Sequence, residues 1–139
     1  MQDRPTKTEL LRGVEYFLSD VAIAQLTGPA KFHARIAANA VRMVLREIEG
    51  EEDDLRLEVA GLRDLFAIDA TPPASLKDLE QEALRLNEKL CEEFRQGKAD
   101  AGPFRERTIR HLRDVAVRKL EVTNPKMSEL AREELKPDR

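Results

Sequence analysis

The chain has 139 residues, with 24 basic and 27 acidic side chains and a formal net charge of -3, so it lacks the positive excess that sequence-independent nucleic-acid binding requires. Leu, Ile, Val and Phe make up 36 of the 139 residues, enough apolar mass for a core, which excludes disorder over most of the chain. No apolar run approaches the roughly 20 residues of a membrane span. The lone Cys91 allows no internal disulfide and the amino terminus has no apolar leader, which points to the cytoplasm.

Aromatics are only 4% of the residues, and Leu, Ala, Glu and Arg outnumber the β-branched types, a composition that favours helix. Thr6 and Glu9 have capping-box spacing, so a first helix is predicted to start near Lys7 and to stop at Gly28-Pro29. Its inward arc is Leu10, Leu11, Val14, Phe17, Leu18 and Val21. On a regular wheel Tyr16 and Ile23 project from the opposite side as a candidate contact stripe.

The second predicted helix covers Ala30 to Glu49, ending at Gly50 as a C-cap. Its wide apolar arc holds Phe32, Ile36, Ala37, Ala40, Val41, Met43, Val44 and Ile48, which suits a central helix approached from more than one side. Glu51 to Asp54 are expected in the first turn of a third helix carrying Leu55, Val59, Leu62 and Phe66, where acids favour the helix dipole. Asp69 to Ala74, with Pro72-Pro73, reads as a loop, and Ser75 with Asp78 as the cap of a fourth helix. Leu76, Leu79, Ala83, Leu86 and Leu90 form its heptad-like seam.

Gly102-Pro103 opens a fifth helix with a predicted inner face of Phe104, Ile109, Leu112, Val115, Ala116 and Leu120, closed by Asn124-Pro125. These elements predict an all-α protein, a single up-and-down bundle of about five helices over residues 4–126. The charged tail 127–139 either forms a short helix after Ser128 or frays.

His33 falls within the apolar arc of the second helix and is expected to be at least partly buried. One reading makes it a core histidine with a backbone or carboxylate partner; the sharper one makes it the polar anchor of a pocket between helices. Arg35, Asn39, Arg42 and Arg46 run along one edge, either as a clamp for a phosphate or carboxylate or as a solvated face paired to acids. His33, Arg35 and Asn39 are therefore the candidate ligand-binding residues, and Tyr16 and Ile23 the candidate interface. No Glu-x-x-His pair, zinc spacing, calcium loop, phosphate loop or nucleophile elbow occurs, so neither a metal nor a cofactor is expected and no catalytic residue is assigned. Cys91 flanks the fourth-helix seam and reads as a small buried thiol.

Three stretches resemble a small bacterial family of helical proteins of unknown function: Arg4-Pro5-Thr6-x-x-Glu9-Leu10-Leu11, Phe32-His33-Ala34-Arg35-Ile36-Ala37-Ala38-Asn39-Ala40, and His111-Leu112 through Lys119-Leu120 to Asn124-Pro125-Lys126. Members of that family are encoded beside, or fused to, aminoglycoside-phosphotransferase-like kinases and acyl-CoA dehydrogenases. The resemblance implies a setting of acyl-CoA or related catabolism and a kinase partner, and it supplies no catalytic residues. The sequence thus leads to a non-enzymatic accessory protein that pairs with itself or with such a kinase or dehydrogenase. The alternative is a small-molecule-binding bundle or cryptic enzyme around His33.

Overall fold

The structure is a computed structural model that describes residues 3–135, and the end of the charged tail, 136–139, lies outside the described residues. The chain is all-α, with no strand among the described residues. It divides into two compact units, residues 1–51 and 52–139.

The first unit begins with α1, residues 7–25. This helix comprises α-helical Lys7–Tyr16, a π-helical stretch Phe17–Ala22 and a final α-helical turn Ile23–Gln25. The capping box forms as expected: Glu9 N–H donates to Thr6 Oγ1 at 3.2 Å, and Thr6 N–H donates to Glu9 Oε2 at 2.7 Å. A left-handed Gly28 at φ 57° then opens α2, Gly28–Leu65. Within this unit α2 buries Ala34, Ala38 and Leu45, a stripe whose two alanines let a neighbouring helix approach closely. The half-buried Leu11, Leu18 and Ala22 of α1 supply the facing surface.

The helix does not stop at Gly50, as the sequence suggests, but continues without a break to Leu65. A glycine ends a helix by adopting a left-handed conformation, and Gly50 is not among the glycines with positive φ. In a helical conformation it costs only about 1 kcal/mol relative to alanine, a cost offset when Val59 and Leu62 beyond it are fully buried. Glu51 to Asp54 consequently lie in mid-helix rather than at a helix start. One of them, Glu52, pairs with Arg56 one turn on, at 2.6 Å.

The second unit holds the remainder of α2 with α3 (Leu76–Arg95), α4 (Gly102–Thr123) and α5 (Pro125–Glu134). Ser75 caps α3, its Oγ accepting from Asp78 N–H at 3.2 Å. Of the predicted seam, Leu79, Ala83, Leu86 and Leu90 are buried and Leu76 is half-buried. Val59, Leu79 and Ala83 form one cluster, while Leu62, Leu65, Leu86 and Leu90 form another against which Phe66, Ile68 and Phe104 pack. Arg63 is buried beside these clusters, its Nε 3.2 Å from Glu82 Oε1, and its Nη2 donates to the Thr71 carbonyl at 3.4 Å. Cys91 is exposed rather than buried, because the seam it flanks is filled by Leu86 and Leu90.

The inner face of α4 also differs from the prediction. Thr108, His111 and Val117 are its buried residues, whereas Leu112 is 40% exposed and Ala116 is exposed. Asn124 caps α5 by accepting from Met127 N–H at 3.3 Å. That helix therefore starts at Pro125, ahead of Ser128, and Arg132 ties it to Glu121 through an ion pair.

Candidate functional site

His33, Arg35 and Asn39 all lie on the exposed surface of α2. The expected burial of His33 fails because the stripe that packs within the hairpin is Ala34, Ala38 and Leu45, on another side of the helix. His33 instead meets the edge of Phe32, ring centroids 5.8 Å apart. Asn39 Oδ1 accepts from Arg42 Nη1 at 3.1 Å. Arg42 is committed to α1, donating through Nε to Glu15 Oε1 at 2.8 Å and through Nη2 to Ser19 Oγ at 2.6 Å. Ser19 also donates to Glu15, and this bond, followed by those from Arg42, holds the Glu15 carboxyl below the usual carboxylate range.

Tyr16 is exposed as expected, but Ile23 is half-buried. The π-helical stretch between them explains the difference. A π turn accommodates one extra residue, so whatever follows is turned back by about 100°, one residue of α-helical rotation, relative to a regular wheel. That rotation brings Ile23 to the side of Leu11 and Leu18 rather than that of Tyr16.

The ion pairs define the flanks of the hairpin. Arg12 with Glu49 at 2.7 Å and Arg42 with Glu15 at 2.7 Å close one side. In an antiparallel pair the helical positions on the other side of each buried stripe must share the opposite flank. On α1 these are Leu10, Val14 and Phe17; on α2 they are Ala37, Ala40 and Val44, with His33 among them. Phe32, Ile36 and Met43 continue the surface around α2. This flank is apolar and open, with Leu10 54% and Phe17 55% exposed, and the adjoining surface of α2 exposes Phe32 at 61% and Ile36 at 51%.

A second feature lies within the second unit. His111 is only 7% exposed, and its ring lies against Gly61 so closely that a Cβ there would stand 2.4 Å from Nδ1. Its Nε2 is buried without a hydrogen-bond partner, as is Thr108 Oγ1 one turn earlier. Burial pushes the imidazole pKa below its ordinary value of 6.5, with Arg118 adding to the shift and Glu58 and Asp114 opposing it. Glu58 is itself held by Asn87, whose Nδ2 donates to it at 2.7 Å. Around the ring runs a groove of about 290 Å³ lined by Leu57, Gly61, Asp64 and Leu65 of α2 and by Arg107, Arg110, Asp114 and Arg118 of α4.

Sequence reasoning passed over this site because it counted only apolar residues on α4. Phe104, Thr108, His111 and Val115 step by four, three and four, the spacing of a buried stripe, but two of its members are polar. The glycine inside an otherwise uninterrupted helical pattern at position 61 was the other available signal.

The fold and these surfaces define an all-helical protein with one open apolar flank and one basic, histidine-lined groove. No group of His, Cys, Asp and Glu able to hold a metal occurs among the described residues, and no helix among them is long and apolar enough to cross a membrane. The chain belongs to the family of the domain of unknown function DUF6285, which it matches over residues 24–127. The match includes the Phe32 to Ala40 stretch and the whole stretch from His111 to Lys126, while Arg4 to Leu11 precedes it. No curated protein and no solved structure matches the chain.

Proposed function

We propose that the chain is a non-enzymatic interaction protein, and that the apolar flank of its amino-terminal hairpin is the surface through which it pairs with a second copy of itself. The observation that carries this reading is the exposed Leu10, Val14, Phe17 and Val44 on the flank opposite the ion pairs, continued by Phe32, Ile36 and Met43 on the outer face of α2. The four flank side chains present roughly 400 Å² of surface, and with the adjoining outer face of α2 the sum rises to roughly 700 Å², against ~800 Å² per partner in a stable interface. Two such hairpins related by a two-fold axis make a four-helix arrangement in which each flank covers its own twin. Ala37 and Ala40 within the flank allow close approach of the backbones.

The resemblance to proteins encoded beside phosphotransferase-like kinases and acyl-CoA dehydrogenases supports a finer version, in which such an enzyme is a further partner of the pair. Exposure of His33 weighs against the alternative of a small-molecule pocket built around that residue. Light scattering at micromolar concentration tests the proposal: the native chain is expected as a dimer, and Ile36→Glu or Val44→Glu as a folded monomer by circular dichroism. A native chain that is monomeric under those conditions overturns self-pairing. Capture of the kinase or dehydrogenase by that monomer, lost in Ile36→Glu, would assign the flank to the enzyme instead.

A further inference from the structure

We infer that the groove around His111 is a binding site for a small phosphate monoester carrying hydroxyl groups. The inference is independent of the pairing proposed for the hairpin, since every residue in it belongs to the second unit. Arg107, Arg110 and Arg118 recur along one face of α4 at helical spacing and all line the groove. None of the three has an ion-pair or hydrogen-bond partner among the described residues, whereas Arg12 and Arg42 in the hairpin are paired to Glu49 and Glu15. Guanidinium groups present forked donors matched to the oxygens of a phosphate, and two or three of them balance its double charge.

The remaining wall restricts the class further. Asp64 and Asp114 line the same groove without pairing to the arginines, and carboxylates can only accept hydrogen bonds at neutral pH. A bare phosphate would be repelled by them, whereas a ligand with hydroxyl donors next to its phosphate uses both signs of charge. Leu57 and Leu65 offer an apolar surface for a short carbon body, and about 290 Å³ is near the lower end for small-ligand pockets. Gly61 is what opens this space, because any side chain there would collide with the imidazole. His111, nine-tenths buried with Nε2 unpartnered, lines the same groove.

Glycerol 3-phosphate is the probe, titrated into the full chain and followed by the imidazole NMR signals of His111, with inorganic phosphate and glycerol as separate arms. Saturable binding of glycerol 3-phosphate is expected, tighter than phosphate alone, with no response to glycerol. Arg110→Gln should weaken it about tenfold or more, Asp114→Asn should weaken the ester while leaving inorganic phosphate unchanged or improved, and Arg105→Gln, outside the groove on the same helix, should have no effect. Equal losses in Arg105→Gln and Arg110→Gln would reduce the effect to general surface charge. That result, or no saturable response at millimolar concentration, overturns the inference.

Discussion

Substituting Gly61 by alanine reverses the usual sign of a helix substitution. In a helix interior, glycine to alanine ordinarily gains about 1 kcal/mol through backbone entropy. At position 61 the new Cβ would stand 2.4 Å from Nδ1 and 3.0 Å from Cε1 of His111. The imidazole is a rigid ring on a residue only 7% exposed, so it cannot swing clear into solvent and must displace its neighbours. Overpacking of this kind costs about 1–3 kcal/mol, enough to outweigh the propensity gain. A net loss of up to about 2 kcal/mol is expected, with a melting temperature lower by up to roughly 7 °C. Urea and thermal unfolding measure it. Gly13→Ala is the internal control, because a Cβ there meets nothing within 4 Å and should be neutral or stabilising. In a His111→Ala background the obstacle is gone and Gly61→Ala should stabilise. If Gly61→Ala in the native chain stabilises as ordinary helix glycines do, the close approach of the ring is refuted.

Glu82→Ala should cost about 3 kcal/mol or more in urea unfolding, because it strands Arg63, whose side chain is only 9% exposed, without its charge partner. Replacing both residues with apolar ones of similar volume should recover most of that loss. Ser75→Ala removes the acceptor of the Asp78 N–H and should cost about 1 kcal/mol; Ser75→Asp should restore it. The depressed pKa of His111, caused first by burial, means that the unfolded chain takes up a proton more readily than the folded one. Its contribution is therefore complete above the unfolded value of 6.5, declines as pH falls from there through the folded value, and is flat below it. The pH dependence of the urea midpoint should be steeper over this window in the native chain than in His111→Gln, and identical slopes would contradict the desolvated imidazole.

The elements of the fold were legible where local chemistry and burial agree. Thr6 and Ser75 announced their caps, and Leu79, Ala83, Leu86 and Leu90 announced the seam, because each signal lies within a turn or two of the backbone. Gly50 misled for a physical reason: whether a glycine terminates a helix depends on its conformation, and that is decided by the burial of Val59 and Leu62 further along. Ile23 was misplaced because a regular wheel has no provision for the extra residue of a π turn. His33 was read as inward because an apolar arc identifies surface that avoids water without saying what covers it. The His111 groove escaped for the opposite reason, since Thr108 and His111 occupy buried positions while counting as polar. Its three arginines come together with Gly61 only through the packing of α4 against α2.

The π-helical stretch of α1 also bears on how this chain could change its length. Removing one residue from an ordinary α-helix rotates everything on one side of the deletion by about 100°, which would carry Leu10 and Val14 away from the flank they share with Val44. Phe17–Ala22 already contains the one residue that an α-helix would not need. A single deletion there converts the stretch to regular helix and leaves the residues on both sides in their present register. The stretch is thus a reserve of one residue, at which α1 can be shortened without loss of the surface it presents.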